Sequence, residues 1–188
     1  MGTNEIWCIS PEGGEVRKVV GDLAQPVAVK FDPKGYIVSP QCRSGEVLRI
    51  DPRTGDRTVL AKLEPGLDNL TFVGERIFVS HLTDGRITEV LGEGRSRDVL
   101  PGNLQRPLDL TVGTDGQIYI ADNVSFYSLP PGGSLQRLGM MFTPGYPGGV
   151  RGVTTLSDDC FAVTTTNGMA ANYRPRAATH ELLAEGLD

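Results

Sequence analysis

Apolar and polar residues alternate along most of this chain in short runs, which are separated by turns rich in glycine, proline and aspartate. Four of these runs open similar segments, and they read PVAVKFD from Pro26, LDNLTFV from Leu67, PLDLTVG from Pro107 and VRGVTTL from Val150. Alternation with a period of two predicts β-strands that bury one face. The four openings lie about 40 residues apart, which is typical of a repeated supersecondary unit.

Each segment continues through further runs of the same kind. The second runs are GYIVSP, ERIFVSH, GQIYIAD and DCFAVTT, and the first two segments add EVLRIDP and RITEVLG, then RTVLAKL and SRDVLPG. Turns such as Pro131-Gly132-Gly133 separate the runs, because glycine adopts the positive φ that hairpin loops require. Four antiparallel strands in a unit of about 40 residues are typical of a β-propeller blade.

The sequence therefore predicts an all-β fold, a single β-propeller of four-stranded antiparallel blades over residues 1–188. About four and a half blades are predicted, at residues 5–25 (a half blade), 26–66, 67–106, 107–149 and 150–188. Because a closed ring usually has about six blades, we expect part of a larger ring. It is either a fragment or closes with further blades or by self-association.

One segment leaves two alternatives open. Residues 174–187, RPRAATHELLAEGL, contain good helix formers that follow a proline. The repeat register instead places a fourth strand at residues 181–184. The strand is the favoured interpretation, because the repeat constrains the whole fold and helix propensity is only a weak local preference.

Composition narrows the function classes. The formal net charge is −5, and the Lys and Arg residues are scattered along the chain, so binding to nucleic acid or to a membrane surface is not favoured. No apolar run reaches the roughly 20 residues that span a bilayer. The chain start lacks the features of a secretion signal, and Cys8, Cys42 and Cys160 are too scattered for a metal motif. We expect buried, reduced thiols and a cytoplasmic location.

The longest repeat strings resemble a known family. PVAVKFDPKGYIVSPQCRSGEVLRIDPRTGDRTVL, LDNLTFVGERIFVSHLTDGRITEV and RPLDLTVGTDGQIYIAD are similar to SMP-30/gluconolactonase and NHL-type propellers, and the resemblance covers essentially the whole chain. It implies a divalent cation such as Ca²⁺ at the centre of one propeller face, held by Glu, Asn and Asp side chains at the starts of inner strands. Such a cation wants several oxygen ligands and polarises a lactone carbonyl.

The resemblance carries over to few metal-ligand positions. Asp68 occupies the place of an Asn or Asp ligand, and Asp109 lies one residue out of that register. These two are the candidate metal ligands. The equivalent positions elsewhere hold Val27, Leu108 and Arg151, which are not ligands, and no glutamate opens an inner strand.

Three more polar residues near strand ends are candidate substrate contacts, namely Asn69, Asn123 and Arg151. Asn69 follows Asp68 at the start of an otherwise apolar strand, where polar groups are costly to bury unless they are paired or bind an ion. The alternative is an Asx turn leading into the strand. Arg151 is a candidate anion anchor, and a salt bridge to a neighbouring blade is the alternative.

Two residues are candidates for catalysis. His81 and Asp122 end the second strands of adjacent segments, in line with Pro40 and Thr165. An aspartate can orient a neighbouring histidine as a general base. The alternatives are an Asp122 that accepts backbone hydrogen bonds from a nearby turn and a His81 that is hydrogen-bonded but not catalytic.

Two function hypotheses follow. The first is an SMP-30/gluconolactonase-like hydrolase that acts on a small lactone or ester with a bound divalent cation. The second is a non-catalytic NHL-like propeller that binds a peptide, sugar or protein partner through its face. A virginiamycin-type lyase, an activity that also relies on a histidine at a propeller centre, is a more distant third.

Overall fold

The computed structural model describes residues 3–187, and within them all regular structure is β-strand. No helix in this described part is long and apolar enough to cross a membrane. The strands are β1 (Ile6–Ile9), β2 (Val16–Val20), β3 (Lys30–Phe31), β4 (Ile37–Pro40), β5 (Glu46–Ile50), β6 (Arg57–Lys62), β7 (Leu67–Val73), β8 (Arg76–His81), β9 (Ile87–Gly92), β10 (Arg95–Leu100), β11 (Pro107–Val112), β12 (Ile118–Asp122), β13 (Ser125–Leu129), β14 (Gln136–Met140), β15 (Val150–Ser157), β16 (Cys160–Thr165), β17 (Ala170–Arg174) and β18 (Thr179–Ala184).

The strands form one two-stranded and four four-stranded antiparallel sheets, each a simple meander. We name them the half-blade (β1–β2), blade 1 (β3–β6), blade 2 (β7–β10), blade 3 (β11–β14) and blade 4 (β15–β18). The inner strand β11 contacts both β7 and β15, the inner strands of its neighbours. The expected all-β propeller with part of a ring is therefore confirmed. Residues 179–184 form a strand and not the alternative helix.

The apolar cores lie between neighbouring blades. The core between blades 3 and 4 is aromatic and contains Tyr119, Phe126, Tyr146, Phe161 and Tyr173. The cores between blades 1 and 2 and between blades 2 and 3 are mostly aliphatic. A fully buried aliphatic or aromatic side chain stabilises the fold by about 1.5–3 kcal/mol. These cores therefore hold neighbouring blades together.

Turns between second and third strands pack against the chain that enters the next blade. Gly45 and Gly85 occupy equivalent turns and have positive φ, 73° and 71°. A Cβ at either position would overlap a backbone carbonyl, that of Leu63 or Leu104. Glycine is therefore required there for two reasons, and these turns and entry loops together build one end of the propeller.

The cysteines only partly match the expectation of buried thiols. All three are free, and Cys160 is buried, Cys42 is half-buried and Cys8 is exposed. Cys8 is exposed because it lies on β1, where only Ile6 is buried against blade 1.

Candidate functional site

The inner strands of blades 2 to 4 begin with a bulge, which sets the direction of the polar side chains there. The bulges follow three equivalent residue pairs, Leu67–His81, Pro107–Asp122 and Val150–Thr165. A bulge inserts an extra residue and re-aims its neighbours. In this register Asn69 and Asp109 occupy the same position, one residue after the position of Asp68.

Asn69 and Asp109 link neighbouring inner strands. Each accepts a hydrogen bond from the amide of the following residue, with an N to O distance of 2.8 Å in both cases. Asn69 Nδ2 also donates to the Leu108 carbonyl at 3.3 Å, and Asp109 Oδ2 accepts from the Val153 amide at 2.9 Å. Both side chains therefore hydrogen-bond to the backbone of their own strand and of a neighbouring inner strand.

Lys30 reaches from blade 1 to blade 3, past the inner strand of blade 2. Its Nζ donates to the Leu110 carbonyl at 3.0 Å and lies 3.5 Å from Asp109 Oδ1. Because the inner strands surround the axis, this lysine places a positive charge close to the centre of the propeller. The charge of Asp109 is thus already balanced by a cation of the chain.

Asp68 has no comparable partner. It is half-buried, and within residues 3–187 the groups that act on it are charges rather than hydrogen-bond donors. Burial, and then the negative charge of Asp109, raise the pKa of Asp68 to about 6, while Arg106 opposes the shift. Asp68 is therefore the axial carboxylate with free capacity to bind a cation or a donor.

The metal site predicted on Asp68 and Asp109 stays a prediction. Across residues 3–187 there is no group of three or more His, Cys, Asp or Glu side chains that could hold a metal ion. Both Asp109 oxygens already accept backbone hydrogen bonds, and Lys30 lies beside them. Asp109 therefore has little capacity left for a calcium ion, which takes six to eight oxygen ligands, and of the two residues Asp68 is the one with free oxygens.

The residues that end the second strands follow a slightly different register from the one expected. Pro26 pairs with Gln41, so Gln41, and not Pro40, is equivalent to His81, Asp122 and Thr165. The predicted equivalence of Pro40 with these residues is therefore wrong by one residue. The turn between the first two strands is one residue longer in blade 1 than in blade 2, as the closing pairs Phe31–Ile37 and Phe72–Ile77 show.

Gln41 and Asp122 hold the loops that enter their blades. Gln41 Oε1 accepts from the Ala24 amide at 3.0 Å, and Asp122 Oδ2 accepts from the Gln105 amide at 3.0 Å. The second Asp122 oxygen accepts from the Arg106 amide. Burial raises the pKa of Asp122 despite these hydrogen bonds. Both Asp122 oxygens thus accept backbone hydrogen bonds, which is the alternative to a catalytic role that the sequence left open for this residue.

His81 occupies the same position in blade 2 but makes different contacts. The residue two before Leu67 is Pro65, which has no amide hydrogen to donate. His81 Nε2 instead lies 3.0 Å from Thr88 Oγ1, and Thr88 Oγ1 donates to Asp98 Oδ1 at 2.7 Å. Because the hydroxyl proton points to Asp98, we assign the ring proton of His81 to Nε2.

The other ring nitrogen of His81 is buried and lacks a hydrogen-bond partner among the described residues. The side chain is only 1% exposed. Burial, and then the positive charge of Arg86, lower the pKa of His81. The imidazole is therefore neutral at pH 7, and its chain of contacts runs to Thr88 and Asp98 rather than to Asp122.

The two remaining candidates lie at the same end of the propeller. Asn123 has a φ of 51° in the tight turn between β12 and β13, a conformation that asparagine tolerates well. Arg151 is exposed at the start of β15. Their predicted substrate contacts stay predictions.

A wide cleft of about 730 Å³ opens between blades 1 and 2 at this end. His81 and Thr88 line it, together with six charged residues: Arg43, Lys62, Glu64, Arg86, Arg97 and Asp98. Sequence reasoning missed this cleft, because its residues come from several turns and strands that are far apart in the chain. It also missed Lys30, although a lysine inside an alternating inner strand was an available sign.

No protein-family model matches the sequence, and comparison with curated proteins gives no match. The structure is similar to virginiamycin B lyase from Staphylococcus aureus, with 16% identity and a TM-score of 0.73 over 96% of this chain and 63% of that chain. It is similar to a streptogramin B lyase, with 15% identity and a TM-score of 0.77 over 100% of this chain and 64% of that chain. It is also similar to a chain of a nidogen/laminin complex, with 16% identity and a TM-score of 0.80 over 98% of this chain and 72% of that chain.

These similarities establish the class of protein, a β-propeller, since identities this low show the fold alone. The structural neighbours are propellers of the virginiamycin B lyase and NHL or YWTD types, and they do not single out the SMP-30 family. The chain spans about 63% of the length of the Staphylococcus aureus lyase.

Proposed function

We propose that this chain is a non-catalytic propeller that binds an acidic peptide segment of a partner protein. The site is the cleft between blades 1 and 2, on the end where the inner strands begin. One observation carries the proposal. Both Asp122 oxygens and His81 Nε2 are used in contacts inside the fold, and an open cleft lined by charged side chains lies beside them.

The charge of the cleft favours an acidic partner. Four of its lining residues are cationic, Arg43, Lys62, Arg86 and Arg97, and two are acidic, Glu64 and Asp98. Arg86 and Arg97 are held by carboxylates of blade 2. Lys62 lies 3.7 Å from Glu46 in an exposed pair, and such pairs are weak and easily exchanged. Arg43 makes no ion pair to any residue of 3–187. The positive charge that can meet a partner is therefore that of Arg43 and of the easily exchanged Lys62, and such groups steer acidic partners and fix their orientation.

A labelled glutamate-rich decapeptide tests the proposal on the full chain, with fluorescence anisotropy as the measurement. A decapeptide with glutamine at every glutamate position is the ligand control. We expect saturable binding of the acidic peptide that weakens with added salt, because exposed charges are screened. Arg43→Glu should weaken binding by about tenfold, roughly 1.4 kcal/mol. The matched control is Arg137→Glu on exposed β14, which should leave binding unchanged. Equal binding of the two peptides, or an equal loss in the control variant, contradicts the proposal.

Asp68 favours a second candidate function, the hydrolase with a divalent cation. A half-buried carboxylate whose pKa is raised to about 6 by burial and by Asp109 would be relieved by a bound cation. Calcium titration followed by thermal unfolding, with a parallel panel of lactones and esters, separates the two functions. Stabilisation by calcium that Asp68→Asn abolishes, together with turnover, would replace the binding proposal with the hydrolase. No shift in Tm and no turnover are expected if the chain is a binding module.

A further inference from the structure

We infer a second binding site between blades 2 and 3, lined by turns at the propeller end opposite His81, that takes a small carboxylic acid with an apolar body. The site is a pocket of about 270 Å³. Gly116 lies in the turn from β11 to β12, and Pro130 to Gly133 form the turn from β13 to β14; both turns line the pocket. In a meander these turns lie at the opposite end from the turn that follows His81.

The floor of the pocket is apolar and comes from both blades. Phe78, Ile118 and Leu129 are buried, with exposures of 3 to 5%, and Val73 and Val99 are half-buried beside them. These residues lie on or at the ends of paired strands. The wall includes Pro130 and Pro131, whose φ angles are fixed by their rings. A ligand would therefore enter a surface that is already ordered, with little further loss of conformational entropy.

The rim carries two arginines in fixed positions. Arg76 Nε donates to Glu89 Oε1 at 2.6 Å, and Arg97 Nε donates to Glu89 Oε2 at 2.7 Å. The Glu89 side chain is only 4% exposed. The guanidinium of Arg76 also stacks over the Phe78 ring, with Cζ 4.9 Å from the ring centroid. Both arginines are thus oriented by one buried carboxylate.

Two guanidinium groups on one carboxylate leave a local positive charge at the rim. Among the described residues, the contacts of Arg76 use only Nε and those of Arg97 use Nε and Nη2. The other N–H donors remain for a ligand. Asp98 also lines the pocket, but its oxygens face Thr88 and Arg86. A planar carboxylate is the anion that matches free guanidinium donors in geometry and charge.

The volume limits the apolar part of the ligand. Pockets for drug-sized ligands measure roughly 300–1,000 Å³, so this one suits a body of about ten non-hydrogen atoms. An aryl or branched alkyl monocarboxylic acid combines such a body with one carboxylate. Arg97 and Asp98 also line the charged cleft, whereas Arg76 and Val99 line this pocket alone and Arg43 lines the cleft alone.

Titration of the full chain with 3-phenylpropionate, followed by NMR or calorimetry, tests the site, with 3-phenylpropionamide as the neutral control ligand. We expect the acid to bind at least about tenfold more tightly than the amide, since the arginines distinguish the two. Arg97→Gln, which leaves Arg76 on Glu89, should weaken binding of the acid by about tenfold and leave binding of the amide unchanged. Arg137→Gln is the matched control and should change neither.

A second variant keeps the test valid if Arg97→Gln unfolds the chain. Val99→Phe fills the pocket while both arginines are kept, and it should abolish binding of both ligands. Arg43 lines only the cleft and Val99 only the pocket. Arg43→Glu should therefore weaken peptide binding alone and Val99→Phe should weaken binding in the pocket alone, which distinguishes a failure of this site from a failure of the peptide cleft. Equal affinity for acid and amide, or no saturable binding of the acid at millimolar concentration, overturns the inference.

Discussion

The interface between blades 3 and 4 and the propeller axis join the blades by opposite means. At the interface, Phe126 and Phe161 pack at 5.2 Å between ring centroids inside an aromatic core. At the axis, the strands are joined by Asn69, Asp109 and Lys30 through hydrogen bonds and an ion pair. The apolar contacts hold the blades together but are not directional. The axial hydrogen bonds are directional, and they leave Asp68 without a partner.

The largest effect should come from breaking the aromatic interface. Phe126→Ala removes a side chain that is 0% exposed and that contacts the rings of Tyr119, Phe161 and Tyr173. We expect a loss of about 3–5 kcal/mol in the free energy of unfolding, because a cavity remains. Urea denaturation measures the loss. Phe142→Ala is the matched control, since Phe142 is 85% exposed and should change stability by less than about 0.5 kcal/mol. A loss below about 1 kcal/mol for Phe126→Ala would contradict the importance of this core.

The next effect should come from the axis. Asp109→Ala leaves the Val153 amide without its acceptor and Lys30 without its carboxylate. The expected loss is about 2–4 kcal/mol. In the double variant Asp109→Ala with Lys30→Met, the loss of stability should be smaller than the sum of the two single losses. The reason is that the double variant leaves neither charge of the ion pair without its partner. Additive losses in a double-mutant cycle would show that the two side chains do not interact.

The interface and the axis also differ in what a sequence can reveal. The period of the inner strands locates Leu67 and Val150, because burial on one face of a repeated strand leaves an alternating pattern. The contact from Lys30 to Asp109 leaves no such pattern, since its partners are on blades that are not adjacent. The equivalence of Gln41 with His81 depends on the length of one turn, which strand periodicity does not fix. The contacts from His81 to Thr88 and Asp98 depend on the absence of an amide hydrogen at Pro65.

A smaller and pH-dependent effect is expected at Asp68. Its pKa is about 6 in the folded chain and 3.8 in the reference state, so the folded state binds more protons between these values. The contribution of Asp68 to stability is therefore present below about pH 4 and is lost as the pH rises through 6. Asp68→Asn should be more stable than the wild type by about 1 kcal/mol at pH 8, a value reduced for solvent screening. The gain should vanish near pH 4. Urea denaturation at both pH values measures the gain in stability. An equal gain at pH 4 and pH 8 would show that the charge of Asp68 does not destabilise the folded chain.

The smallest effect should come from His81→Gln, which introduces the side chain that blade 1 has at the equivalent position. Burial lowers the pKa of His81 below its usual 6.5, so the unfolded state takes up the proton first as the pH falls. The wild type should therefore lose stability below about pH 6.5, and the variant should not. At pH 8 glutamine can still reach Thr88, and we expect a change within about 0.5 kcal/mol. Thermal unfolding from pH 5 to pH 8 measures the difference. Parallel pH profiles of the two proteins would show that His81 is not held neutral, and would place it with the solvated polar residues of the cleft instead of the buried contacts between strands.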